Sequence, residues 1–275
     1  MRRETFETPG DVTLDVKIPS GRIDVQTSAG TTTEVELDVR GNEERAAELL
    51  EDARIEREER SGAQEVVVWA ENRSGWRFWD RADFRLTVKA PEGTHLRVST
   101  ASADVRGRGR FGSLDAEAAS GDIEIDDVGG DATAKTASGD ITLRTVAGSA
   151  SVNTASGDAQ LGRIEGPINV KTASGDVEVV EAGSGAGIST ASGDMTIAAV
   201  AAGSIDLKSA SGDIRVGVRE GTSLFVDARA LSGDLSSEVE LGDEPAGGDG
   251  PEVDLRAVSM SGDITVVRAP GPVSH

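Results

Sequence analysis

Cysteine and tyrosine are missing from this 275-residue chain, aromatic residues make up 3% of it, and histidine occurs twice. Without cysteine there is no disulfide framework, no thiolate nucleophile and no thiolate zinc site, and the redox compartment leaves no trace in the sequence. Basic residues are also scarce: 28 Lys and Arg stand against 49 Asp and Glu, a formal charge of −21. Such a surface argues against nucleic acid or anionic lipid as a partner, because phosphate attraction needs Lys and Arg to displace counterions. No apolar run approaches the length of a membrane span, and Met1-Arg2-Arg3-Glu4 leads straight into acidic, alternating sequence where an export signal would stand. Read as it stands, the chain is expected to be cytoplasmic. His95 and His275 are too few and too far apart for a Ser-His-Asp arrangement or a histidine metal cluster, so neither catalysis nor a cofactor is expected.

What the chain does have is a period. Ser-Gly-Asp returns every 18 residues, at Ser120, Ser138, Ser156, Ser174 and Ser192, and then more loosely at Ser211, Ser232 and Ser261. Ser102-Ala103-Asp104 is a degenerate copy one period earlier. A fixed period of this size marks stacked units, each burying its apolar face against its neighbours. With the Ser as zero, apolar residues fall at −6, −4, +3, +5 and about +8; around Ser174 these are Ile168, Val170, Val177, Val179 and Ala182. Spacing by two on either side of the triplet means strand, tight turn, strand. Helices fail, because a Gly interrupts every unit. The expected fold is therefore all-β: a single-stranded β-solenoid of about 18 residues per coil, with two parallel sheets facing each other across a thin core.

The same template fits Ser20-Gly21, with Leu14 and Val16 before it and Ile23 and Val25 after it, which places the first coil at 12–40. Residues 41–95 break the pattern. Ala46, Ala47, Leu49, Leu50 and Ala53 at helical spacing predict an amphipathic helix over 43–58, followed by a hairpin of strands at 65–70 and 84–89 joined by the loop 72–83. This helix and hairpin would cap an open sheet edge. Regular coils are expected over 96–268, a tail over 269–275, and a flexible Gly, Pro and acidic loop over 241–252, all within one domain.

Three features are candidate sites. Asp122, Asp140, Asp158, Asp176, Asp194 and Asp213 should stack at strand spacing along one corner. A row of carboxylates is a weak cation candidate, but calcium-binding rolls use a glycine-rich nonapeptide that is missing, so the ladder is read as turn chemistry. Thr100, Thr136, Thr154, Thr172, Thr190 and Ser209 form a second ladder at −2, and parity with the apolar positions points them inward, away from any water-organising face. Lastly, Arg73, Trp76, Arg77, Phe78, Trp79 and Arg81 join Trp69 in a cluster of aromatic and basic residues that serves either as a cap or as a docking site.

The repeated Thr-Ala-Ser-Gly-Asp-Ile, the early Pro-Ser-Gly-Arg-Ile and the strand Phe-Arg-Leu-Thr-Val-Lys-Ala-Pro at 84–91 resemble a bacterial "putative adhesin" group, a β-helical domain of unknown function. The resemblance implies a cell-envelope or stress-response setting reached through a protein partner, and it brings no catalytic residues with it. The expected function is a noncatalytic scaffold or protein-interaction module whose partner is unidentified, with self-association left open. The alternatives are a self-assembling filament of the bactofilin kind and a carbohydrate-binding or carbohydrate-processing β-helix.

Overall fold

A computed structural model describes residues 1–60, 63–71, 83–219, 221–238 and 251–269. By contact the chain divides into two compact units, Met1–Gly139 and Asp140–His275. Both are built of β-solenoid rungs, as the period requires.

In the first unit the strands are β1 (Arg2–Glu7), β2 (Val12–Ser28), β3 (Thr32–Arg40), β4 (Arg54–Arg60), β5 (Ala63–Trp69), β6 (Asp83–Pro91), β7 (His95–Phe111), β8 (Leu114–Ala118), β9 (Ile123–Val128) and β10 (Ala132–Thr136). One helix, α1 (Glu43–Asp52), lies between β3 and β4. β2 and β7 are long strands that each turn a corner, and they pair in parallel along both halves: Leu14 with Leu96, Val16 with Val98, Ser20 with Ser102, Ile23 with Val105. The early Ser-Gly thus stands over its degenerate copy. Gly21 makes the corner at φ 112°, where an added Cβ would lie 1.8 Å from the Phe84 carbonyl oxygen, so no other residue fits. β8 and β9 continue the two halves of β7, and β10 continues β8.

On the far side of β2 the winding stops. The first half of β2 pairs in parallel with β5, and β5 pairs antiparallel with β4; the second half pairs in parallel with β6, and β6 is followed antiparallel by β3 and then β1. The expected hairpin of the strands near 65–70 and 84–89 is therefore corrected: those strands, β5 and β6, pair with β2 in separate registers, and the hairpin is β4 with β5. The expected helix over 43–58 is also shorter. Asn42 caps it, its side chain accepting the Glu44 N–H at 3.0 Å, and Glu43 and Glu44 suit the positive N-terminus. The last turn has no basic residue, and Glu51 and Asp52 oppose the dipole there. Ala53 turns extended, Ala53 and Ile55 are buried two residues apart, and Ile55 faces Val68 across the β4–β5 pair. A period of two wins over the helical one as soon as a partner strand is present.

The second unit holds β11 (Ile141–Val146), β12 (Ala150–Thr154), β13 (Ala159–Ile164), β14 (Ile168–Lys171), β15 (Val177–Ala182), β16 (Ala186–Ser192), β17 (Met195–Val200), β18 (Gly203–Ser211), β19 (Ile214–Val218), β20 (Ser223–Ala230), β21 (Leu235–Ser237), β22 (Glu252–Ser261) and β23 (Ile264–Arg268). One parallel sheet runs β11-β13-β15-β17-β19-β23-β21, and the other runs β12-β14-β16-β18-β22-β20. Identical template positions stack: Ile141, Ala159, Val177, Met195, Ile214 and Ile264 form one ladder, and Val152, Val170, Ile188, Leu207 and Ala257 another. All are buried, and each Val, Ile or Leu contributes on the order of 1.5–3 kcal/mol of transfer energy.

One feature departs from simple winding. The rung 252–268 does not follow the rung 223–237; β22 lies between β18 and β20, and β23 between β19 and β21. Side chains account for the exchange. The inserted rung has a full inward set, with Val253, Leu255, Ala257, Ser259, Ile264 and Val266 all buried. The rung 223–237 has Ala230 where the other rungs of this unit carry Thr or Ser and Ser237 where they carry an apolar residue, which suits it to the outside of the stack. The twelve residues 239–250 that link these rungs lie outside the described set.

Candidate functional site

The corner of the second unit carries the aspartate ladder. Gly193 and Gly212 take φ of 146° and 143°, and an added Cβ on either would lie 2.2 Å from the glycine carbonyl oxygen of the preceding rung. This close approach brings each aspartate carboxylate against the main chain of the next rung. The Asp140 carboxylate accepts the Asp158 N–H at 2.9 Å, Asp158 accepts from Asp176 at 2.9 Å, Asp176 from Asp194 at 2.9 Å and Asp194 from Asp213 at 2.8 Å. Then the order leaves the sequence: Asp213 accepts from Asp263 and Asp263 from Asp234, each at 2.8 Å. The carbonyls of Asp158, Asp176, Asp194, Asp213, Asp263 and Asp234 also accept from the strand that follows the neighbouring aspartate; Val177 N–H donates to Asp194 and Ile264 N–H to Asp234. Six of these carboxylates therefore tie rung to rung with one oxygen, an arrangement that charge-assisted bonds to main-chain N–H groups favour. Asp263 and Asp234 are two members that sequence order alone would place wrongly. In the first unit, the Asp122 carbonyl accepts from Val105 N–H at 2.8 Å. Among the described residues no group of three or more His, Cys, Asp or Glu is gathered as a metal ion would need.

Behind the corner lies the hydroxyl ladder. Thr136, Thr154, Thr172, Thr190, Ser209 and Ser259 are buried, whereas Thr100 is half-buried and accepts the Ala103 N–H. Thr136 and Ser259 donate long bonds of 3.4 Å to the Gly121 and Gly212 carbonyls. The hydroxyls of Thr154, Thr172, Thr190 and Ser209 have no hydrogen-bond partner among the described residues. Inward parity is as the alternation demands.

Arg73, Trp76, Arg77, Phe78, Trp79 and Arg81 lie outside the described residues, as does His275. Of that cluster's neighbours, Trp69 ends β5 and lines a shallow depression of about 270 Å³ with Asp15, Lys17, Arg54, Val67 and Val68. A hydrogen bond and the charge of Glu56, with Glu58 beside it, raise the Arg54 pKa, so this cation is already partnered. His95 starts β7 and sits 2.8 Å from the Ser113 hydroxyl.

The surface that sequence reasoning missed is the outermost rung of the second unit. Phe225, Leu231 and Leu235 are 68%, 82% and 55% exposed, and Met260 stands beside Leu231 on the neighbouring strand. The inward-facing Leu224, Val226 and Ala228 are only half-buried, and among the described residues no further rung covers them. The signal was in the sequence: Leu231 and Met260 stand at the corner position where the rungs from Ser102 to Ser211 have Ala.

Among the described residues no helix is long and apolar enough to cross a membrane. None of the curated proteins matches the chain. Three solved structures are similar to it: a "putative adhesin" from Bacteroides fragilis, 12% identical with a TM-score of 0.49 over 96% of each chain, a "putative adhesin" from Parabacteroides distasonis, 12% identical with a TM-score of 0.35 over 96% of each chain, and a "putative cell adhesion protein" from Clostridium sporogenes, 9% identical with a TM-score of 0.26 over 97% of this chain and 99% of that one. The period, the glycine corners and the stacked rungs agree with the family comparison: the Toastrack DUF4097 family matches residues 8–267, and the chain belongs to that bacterial family of β-solenoids of unknown function.

Proposed function

We propose that this protein is a noncatalytic interaction module that presents a binding surface. The observation that carries this reading is the outermost described rung of the second unit, where Phe225, Leu231 and Leu235 stand in solvent beside Met260, while the neighbouring strands carry Asp254 opposite Phe225 and the buried Ile264 opposite Leu235. Exposed apolar groups gathered on one rung of an otherwise acidic protein mark a contact surface. The repeated polar groups support the same reading, since the aspartate ladder spends its carboxylates on main-chain N–H groups of the next rung. A cell-envelope or stress-response setting, reached through a protein partner, is the context that the family resemblance adds.

The test compares the native chain, immobilised in a bacterial extract, with a Phe225→Ser/Leu231→Ser variant and a Trp76→Ala/Trp79→Ala variant. The expected result is a discrete set of retained proteins, lost with one variant whose circular dichroism is unchanged. Equal retention by all three chains, or turnover of polysaccharide by the native one, would overturn the reading.

A further inference from the structure

The outermost rung ends in a free strand edge whose chemistry is self-complementary. Among the described residues β20 pairs only with β22. Ser223 N–H donates to the Pro251 carbonyl and Leu231 N–H to Ser259, each at 3.0 Å, so the odd-numbered residues of β20 spend their main-chain groups on β22. In a parallel ladder the alternate residues point the other way. Leu224, Val226, Ala228 and Ala230 therefore direct their N–H and C=O groups at the open edge, and their side chains lie over an uncovered core.

A second copy of the same edge can meet it antiparallel about a two-fold axis, and the side chains select one register. Centred on Asp227, the strand would set Asp227 against Asp227; centred on Arg229, it would set Arg229 against Arg229. Both registers put like charges directly opposite each other. Centred on Ala228, Asp227 faces Arg229 of the other copy twice over, and Phe225 faces Leu231. The edge-directed Ala228 faces itself, and Val226 faces Ala230, so the residues that must exchange hydrogen bonds are the ones whose groups are free. The outward residues fall in the non-hydrogen-bonded pairs, where side chains approach most closely. Asp227 and Arg229 already sit together on that face, 3.2 Å apart in one chain.

We propose that the protein forms a two-fold homodimer by antiparallel pairing of β20 with its copy, in the register that places Ala228 on the axis. The contact covers Phe225 and Leu231 and pairs the free edge, which otherwise invites unspecific strand addition. The opposite charges set the register, and the apolar pair supplies burial. This rests on the interaction-module reading and names the partner of that surface as a second copy.

Sedimentation equilibrium of the full chain tests it. The native chain should dimerise and stop there. Asp227→Arg, which sets Arg against Arg229 of the other copy, should raise the dimer dissociation constant about tenfold or more; adding Arg229→Asp should restore it, which separates lost pairing from lost folding. The chain has no cysteine, so a mixture of Phe225→Cys and Leu231→Cys proteins should form a disulfide between the two species, while either protein alone should not. A chain that stays monomeric, as it would if 239–250 covered the edge, overturns the proposal. So does growth into filaments, a dimer indifferent to Asp227→Arg, or no crosslink in the mixture. A monomer that still retains bacterial proteins overturns the dimer alone, whereas a dimer that retains none overturns the interaction-module reading alone.

Discussion

The two units solve the same problem differently. In the first, the long corner-turning β2 is flanked by the parallel strands β5 and β6, each followed by an antiparallel strand, and the inward residues next to it are covered: Leu86 and Val88 of β6 and Val66 and Val68 of β5 are buried completely. In the second, parallel stacking continues to a rung whose inward residues stay half-buried. Antiparallel strands end a stack because their apolar faces match on one side and their charged residues, such as Arg3 with Glu36, occupy the other. A parallel rung ends nothing; it is a template for one more. Where a repeat protein leaves such a rung uncovered, the physics of stacking points to an added partner.

Substitutions can break this comparison or sharpen it. The largest effect should come from Gly193→Ala, because φ is 146° and the new Cβ would lie 2.2 Å from the Gly175 oxygen. A loss of roughly 3 kcal/mol or more in urea unfolding is expected. Gly221→Ala, at φ 78° with nothing within 4 Å, carries only the left-handed strain and should cost about 1–2 kcal/mol. Next, Leu207→Ala in an inner rung should cost about 2–5 kcal/mol, whereas Val226→Ala in the outermost rung, measured on monomer, should cost less than about 1 kcal/mol. Equal losses at the two sites would show that the outer rung is covered. Asp194→Ala leaves the Asp213 N–H without its acceptor and should cost about 1 kcal/mol, while Asp194→Asn keeps an acceptor, removes one charge from the row and should unfold close to wild type. Smallest in size but opposite in sign, Thr172→Val replaces a buried hydroxyl without a partner and should stabilise by up to about 1 kcal/mol.

The solenoid was legible because its signal is redundant. Strand parity around Ser-Gly-Asp fixed which side chains go in, and Ile141, Val177 and Ile264 fall on one ladder as that parity requires. Thr172 and Thr190 turn inward for the same reason. Features set by competition between distant segments were not legible. Residues 54–60 carry helix-compatible Glu and Arg, and only the presence of β5 makes them a strand. The strands β5 and β6 are neighbours in sequence, yet each is claimed by a different half of β2. The position of rung 252–268 follows from comparing inward sets between rungs, a comparison that period alone does not prompt. For the candidate sites, the aspartate ladder was readable and its role as an inter-rung tie was not, since that depends on how far one glycine corner lets the next approach.

The spatial order of the last rungs underlies both the uncovered edge and the contacts proposed for it, and crosslinking tests it most directly. In this cysteine-free chain, Arg215→Cys with Thr265→Cys, and Ser236→Cys with Thr265→Cys, join positions that face each other on adjacent strands, while Arg215→Cys with Ser236→Cys joins positions one strand further apart. Oxidation of monomer should close the first two pairs and not the third. Closure of the 215–236 pair, with the two pairs to 265 left open, would contradict the account.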